Sequence, residues 1–242
     1  MKSSFDMVYG LNSVRSVLDG TRKIEKVLMT KQKENSEIFN KCANKNVPFK
    51  IVDKKELDSI TKFGNHQGFV AFVEPFKYKD LKDFLNEKKE EQPLILILDG
   101  IEDPNNFGSL IRTSAAFGVD AIIISKDRQI QMTPTVTKVS TGAEEFVSII
   151  QVTNIVQAMN TLKKNGYWIV TADGRGDRLY DEIDYKGKMA IVIGSEGRGA
   201  SRLTLENSDF IARIPIQGPI TSLNAAVAGA IMISGAIQSR RK

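Results

Sequence analysis

Four runs in the C-terminal part of the chain constrain its fold more than any other feature: LILIL at 94–98, AIIIS at 121–125, YWIVT at 167–171 and MAIVI at 189–193. Each is apolar at nearly every position instead of alternating. A strand with one wet face shows a period of two, so a continuous apolar run of this length reads as a strand covered on both faces. FVSII at 146–150 and FIARI at 210–214 are also strand-like, and helical patterns fit between the runs at 106–117, 154–164 and 222–238. This alternation predicts an α/β fold. Its parallel sheet carries helices on both faces and ligands at the carboxyl ends of the strands. Fourteen of the eighteen glycines fall in residues 93–242, mostly just after these strands, where a chain must turn tightly or let a ligand approach its backbone.

The first 75 residues read differently, as a small separate α/β unit. Helices are predicted over 11–18, 36–45 and 54–61, and strands over 24–29, 48–52 and 69–73. Asp53 and Glu56 supply a capping box for the third helix. The polar turn Asn65-His66-Gln67-Gly68 holds the only histidine of the chain. That setting favours a structural or RNA-contact role over acid–base work. Residues 76–92 are dense in charge and predict a linker with a short helix at its centre, so the division is 1–75, 76–92 and 93–242.

Composition narrows the function. The formal charge is +5, and the first 92 residues carry sixteen Lys but two Arg, against seven Lys and nine Arg in the rest. Spread lysines suit nonspecific attraction to phosphates, and they equally describe a solvated face; arginines suit oriented phosphate contacts. One cysteine, Cys42, excludes a disulfide framework or a thiolate metal site and fits a reducing compartment. The start MKSSFDMVYG lacks an apolar h-region, and the apolar run at 225–237 is shorter than a spanning helix of about 20 residues. A cytoplasmic protein is expected.

Three segments that follow strands carry the candidate chemistry. DGIEDPNNFGSLIR (99–112) opens a helix at Asp103-Pro104 and carries Asn106 and Arg112. IGSEGRG (193–199) places Glu196 in a glycine-rich loop, where a carboxylate is as often a cap for backbone N–H groups as a functional group. IPIQGPITSLNAAVAGAIMI (214–233) runs through a Gly-Pro loop to Ser222, a natural N-cap, and Asn224, then into a helix of small residues suited to close packing. Neither a dinucleotide G-x-G-x-x-G nor a P-loop is present. A lone His and Cys leave no metal cluster, and Ser195 has no visible base, so a hydrolase triad is unsupported.

In that order, NNFGSLIRTSAAFG, IVIGSEGRGAS and IPIQGPITSLNAAVAGAI closely resemble the three motifs of the SpoU (TrmH) family of RNA 2′-O-ribose methyltransferases, of the SPOUT class. YGLNSV, HQG and the strand after it look like the family's N-terminal RNA-binding domain, similar to ribosomal protein L30e. The resemblance implies S-adenosylmethionine as cofactor, no metal, a homodimer and a deep trefoil knot in the C-terminal domain. Periodicity alone gives an unknotted sheet. By the same resemblance the cofactor lies on main-chain groups of Gly194, Glu196, Gly197, Ile214, Ile216 and Leu223, with Gly174, Thr141 and Gly142 as further wall residues.

Arg112 corresponds to the family's motif-one arginine, usually assigned to deprotonating the ribose hydroxyl. A guanidinium offers five donors and no acceptor, so phosphate binding and stabilisation of a developing alkoxide suit it better. Asn106, Glu196, Ser222 and Asn224 would orient the arginine, the ribose and the loops. The two-domain form points to a guanosine ribose of large-subunit ribosomal RNA. The alternatives are a tRNA ribose and a non-catalytic RNA-binding protein of the same fold, the last opposed by the intact motif residues.

Overall fold

A computed structural model of the protein describes residues 5–87 and 91–241. The chain forms two compact units, one of residues 1–77 with 132–146, the other of 78–131 with 147–242.

The first unit contains β1 (Asp6–Tyr9), α1 (Leu11–Asp19), β2 (Ile24–Thr30), α2 (Glu37–Asn44), β3 (Phe49–Val52), α3 (Lys54–Ile60) and β4 (Phe69–Val73). Its sheet runs β1-β4-β2-β3, antiparallel except for the β2–β3 pair. Val14, Val17 and Leu18 of α1 and Ile38 and Cys42 of α2 close one face over Val27, Met29 and Ala71. Burial pushes the Cys42 thiol up to about 11, so it is packing material and not a nucleophile. Asp53 stands at the N-cap of α3, but its side chain makes no cap hydrogen bond, so the expected capping box does not form.

The second unit opens with α4 (Leu81–Asn86), β5 (Leu94–Asp99), α5 (Pro104–Phe117) and β6 (Ala121–Ser125). The chain then forms α6 (Pro134–Ser140), which belongs to the first unit. On its return it makes β7 (Ser148–Val152), α7 (Ile155–Lys164), β8 (Trp168–Ala172), β9 (Arg178–Leu179), β10 (Met189–Gly194), α8 (Arg202–Glu206), β11 (Phe210–Arg213) and α9 (Ala225–Ser239). All seven strands pair in parallel, in the order β7-β6-β5-β10-β8-β11-β9. The predicted runs are therefore the sheet. One face, with Ile95, Ile97, Ile123 and Val192, is covered by α4 and α7. On the other, Leu110 of α5 and Gly229 of α9 meet over Ile193; a Cβ at Gly229 would lie 2.3 Å from Leu110 Cδ2, so the small residue is needed for that approach.

Three expectations are sharpened by the structure. Residues 76–92 contain the boundary between the units, after Lys77, and the short helix expected at their centre is α4: Asp80 caps it, accepting from Lys82 N at 2.7 Å and Asp83 N at 3.2 Å, and Phe84 is buried in the core of the second unit. Residues 88–90 of that stretch lie outside the described ones. The last helix begins at Ala225 and not at Ser222, because Asn224 supplies the cap. Residues 132–146 do not pack with the sheet that precedes them. Ser16 Oγ donates to the Thr141 carbonyl at 3.0 Å, and a Cβ at Gly142 would meet that of Ser16 at 2.6 Å. Arg22 Nε donates to Glu145 Oε1 at 2.6 Å, with both side chains largely buried. The partners are more than a hundred residues apart, out of reach of any local pattern.

Burial raises the Glu145 carboxyl above its ordinary value, with Arg22 as the opposing influence. A carboxyl raised on folding contributes stability below its unfolded value and loses it as pH rises. Arg22→Met therefore costs about 3–5 kcal/mol near neutrality, where the charge is left unpaired. The cost shrinks towards about pH 4, where the acid is neutral. Chemical denaturation at the two pH values checks this; Arg22→Met with Glu145→Leu recovers most of the loss.

Candidate active site

Glu196 is delivered by a loop that only glycines permit. After β10, Ser195 N donates to Gly199 O at 3.1 Å and Gly199 N returns to Ser195 O at 2.9 Å, closing a tight turn. A Cβ at Gly194 would stand 2.1 Å from Ala200 N and Gly199 C, which no side chain tolerates. Gly197 and Gly199 hold φ of +78° and +69°. Within this turn Glu196 Oε1 accepts from Asn106 Nδ2 at 2.8 Å and from Asn224 Nδ2 at 2.7 Å, with Ala225 N at 3.5 Å. Asn224 Nδ2 also donates to Asn106 Oδ1 at 2.8 Å.

The two amides come from helix starts. Asp103 caps α5, accepting from Asn106 N at 3.2 Å, with Pro104 at the first helical position. Asn224 caps α9, its Oδ1 accepting from Ala226 N at 2.9 Å and Val227 N at 3.2 Å. Glu196 thus sits at two helix N-termini, where partial positive charge favours a carboxylate. Its role as a cap and its role as organiser coincide.

A pocket opens beside this cluster. Gly174, Gly194, Glu196, Gly197, Ile214, Ile216, Ser222 and Leu223 all line it. Between Ile214 and Leu223 the main chain makes no backbone hydrogen bond among the described residues, leaving its N–H and C=O groups available. Ile216 and Leu223 are exposed apolar side chains on the same wall. A mixed apolar and main-chain wall fits a nucleoside with polar edges, such as the adenosine of S-adenosylmethionine. Two residues of this neighbourhood were missed in the sequence. Asp173 and Arg175 form a two-pronged pair, Nε to Oδ1 at 2.7 Å and Nη2 to Oδ2 at 2.8 Å, and the guanidinium holds the Asp173 carboxyl below its usual range. Asp173-Gly174 directly follows β8 at the same sheet end as Glu196, and that position was the available signal.

On the other side of Glu196 lies a polar cleft of about 1000 Å³, whose lining mixes Arg128, Arg175, Arg198 and Arg202 with Asp99, Glu102, Asp103 and Asp127. Arg175 is paired with Asp173 and Arg202 with Glu206.

The other expected residues are placed as follows. Ser222 lines the pocket, but its hydroxyl makes no hydrogen bond among the described residues. Arg112 is exposed on α5 and is not brought to the cluster: six residues beyond Asn106, it is about 9 Å further along the helix and about 120° around it. Thr141 and Gly142 belong to the first unit, held by Ser16, whereas the pocket is lined wholly by the second; they are not pocket walls. Among the described residues no group of His, Cys, Asp or Glu could hold a metal.

A parallel sheet with a pocket of apolar and main-chain lining and a polar cleft of mixed charge at its carboxyl end is the arrangement of an enzyme that holds a nucleoside beside a second polar substrate. The SpoU rRNA Methylase family matches residues 93–234, and the RNA 2′-O ribose methyltransferase substrate binding family matches residues 7–79. A relative in Staphylococcus aureus, named as a TrmH family tRNA/rRNA methyltransferase, is 38% identical over 97% of this chain and 96% of its own. The crystal structure of an AdoMet-bound rRNA methyltransferase from Sinorhizobium meliloti has a TM-score of 0.82 and 26% identity, covering 98% of this chain and 88% of that one. A TrmH/SpoU tRNA modifying enzyme from A. aeolicus has a TM-score of 0.57 and 29% identity, covering 66% of this chain and 81% of that one. The chain belongs to the SpoU (TrmH) family of RNA methyltransferases.

Asn224→Asp keeps the cap acceptor but removes both donors to Asn106 and Glu196 and sets a second carboxylate against Glu196. The expected loss is about 1–3 kcal/mol. Melting curves of the two proteins at neutral pH measure it.

Proposed function

We propose that the enzyme transfers a methyl group from S-adenosylmethionine to the 2′-hydroxyl of a guanosine ribose in large-subunit ribosomal RNA. S-adenosylmethionine is the cofactor of this methyltransferase, and RNA its substrate. The observation that carries the reading is the meeting of Asn106, Glu196 and Asn224 between the pocket of apolar and main-chain lining and the polar cleft that holds four arginines among its carboxylates.

When bound, the cofactor supplies an electrophilic methyl group. A ribose hydroxyl is a weak nucleophile, so holding it in line is much of the catalysis. Main-chain groups of 214–223 hold the cofactor, while arginines of the cleft hold the RNA backbone. Glu196 Oε2 makes no hydrogen bond among the described residues, so it is an available acceptor for the ribose hydroxyl. Arg112 stabilises the alkoxide that develops and the adjacent phosphate.

That role for Arg112 needs a second copy of the chain. Asn105, Ser109 and Arg112 recur at i, i+4 and i+7 on one stripe of α5. Asn105 and Ser109 line a largely apolar groove against α9 that also reaches Asn106 and Asn224, and its walls include exposed Phe117 and Val227. A two-fold dimer on this face buries the groove and carries Arg112 of each copy towards the other's site. The trefoil knot belongs to the same reading: β10 lies between β5 and β8 although the chain reaches it only after β8.

Ribosomal RNA is favoured over tRNA because the S. meliloti rRNA enzyme spans nearly the whole chain, whereas the A. aeolicus tRNA enzyme spans two-thirds of it. Mapping ribose methylation in the host with and without the gene tests this. One lost guanosine methyl in large-subunit RNA is expected; loss from tRNA instead overturns that part.

Arg112→Ala is expected to lower methyl transfer by at least ~100-fold with cofactor affinity within about 3-fold of wild type. Co-expressing Arg112→Ala with Gly194→Ala, a variant blocked in its cofactor loop, restores activity if Arg112 acts across the dimer. Labelled-methyl transfer to RNA distinguishes this from action within one chain, which leaves the mixture inactive.

A further inference from the structure

The C-terminus of α3 carries an aromatic residue with no structural task. Phe63 N donates to Asp58 O at 2.7 Å and Lys62 N to Ser59 O at 3.2 Å, the paired bonds of a Schellman cap. Glycine normally takes the left-handed position of such a cap. Here Lys62 and Phe63 hold φ of +51° and +60°, two successive strained residues. In the usual motif the second of these side chains packs back on the helix. The Phe63 ring is 85% exposed and does not.

The loop behind it is built to stay still. His66 is buried; Gly68 N donates to its Nδ1 at 2.9 Å, which leaves the proton on Nε2, 2.9 Å from Asp58 Oδ1. Both ring nitrogens are engaged, so the histidine locks the loop. Gln67 Oε1 accepts from Leu11 N at 2.9 Å. Phe63 thus stands on a fixed rim over a pocket of about 480 Å³, within the range for small ligands. Lys33 and Lys54 line that pocket and make no ion pair among the described residues, and the Gln32 and Asn65 amides there make no hydrogen bond among them.

We propose that this pocket binds one unstacked nucleotide of the RNA substrate, its base on the Phe63 ring, its phosphates on Lys33 and Lys54, and its edge read by Gln32 and Asn65. The proposal rests on the RNA reading above. Single-stranded RNA is recognised by stacking on exposed aromatic rings and by cations along the backbone, the two features that meet here. Two lysines without an ion-pair partner beside the ring, Lys54 and Lys33, the latter with its Nζ 5.7 Å from the Phe69 ring centroid, favour a polyanion over an apolar protein segment.

The test uses the full-length protein and a single-stranded oligoribonucleotide of eight residues with a central 2-aminopurine. Binding to wild type should quench its fluorescence. Phe63→Ala should weaken binding about ten-fold, as loss of one stacked base does, and Phe63→Trp should restore it. Lys54→Ala should weaken binding and lower its salt slope by about 0.7. Phe63→Gly separates function from fold: it should bind as weakly as Phe63→Ala yet melt higher, because glycine accepts the left-handed backbone freely.

Unchanged affinity in Phe63→Ala overturns the proposal. So does an unchanged KM for large-subunit RNA in that variant while wild type transfers methyl. If wild type quenches the probe but methylates no RNA, the catalytic reading fails and the pocket stands.

Discussion

One carboxylate oxygen holds the catalytic unit's functional end together. Glu196 Oε1 takes hydrogen bonds from Asn106 and Asn224, and each amide begins a helix that packs on the same face of the sheet. The three segments are some ninety and thirty residues apart in sequence, yet their positions relative to one another depend on this atom. Glu196 is exposed as a residue, yet its Oε1 accepts charge-assisted hydrogen bonds from two amides at once; with one donor lost, the join between the two helix starts is weakened. The loop of 214–223 has no internal hydrogen bonds of its own among the described residues, so its shape is fixed only by its ends, β11 and the Asn224 cap. Site geometry and helix capping are therefore one interaction.

The same economy appears in the first unit, where a polar side chain again does structural work. His66 bridges Asp58 and Gly68 and fixes a loop whose backbone would otherwise be costly to hold. Arg22 and Glu145 draw residues 132–146 out of the catalytic stretch and into this unit. The unit is consequently not a module of the first 77 residues alone. Removing those residues would leave α6 and the buried Val136 without the surface they pack on.

Much of the site was legible because its residues occur in ordered motifs. Asn106, Glu196 and Asn224 were all named from the chain, as were seven residues from Gly174 to Leu223 that the structure brings together around one pocket. The misreadings share a cause. Thr141 and Gly142 were expected as pocket walls by the family resemblance, but they follow α6, and their packing partner Ser16 lies far back in the chain. Ser222 read as an N-cap because its chemistry is right; Asn224 took the place because it alone also reaches Asn106 and Glu196. Residues 76–92 read as a linker because of their charge, although Phe84 commits the helix at their centre, α4, to the core of the second unit.

The sequence by itself determined the sheet and the chemistry. Short, uniformly apolar runs rich in β-branched residues read as strands covered on both faces, and glycines after them mark where the backbone must turn or be approached. Tertiary structure decided the rest. It set which unit owns residues 132–146, which amide caps α9, and that Arg112 points away from the site of its own chain. Each of these is settled by a contact between residues distant in sequence, and no local periodicity carries the direction in which a side chain leaves its helix towards a partner that only folding brings near.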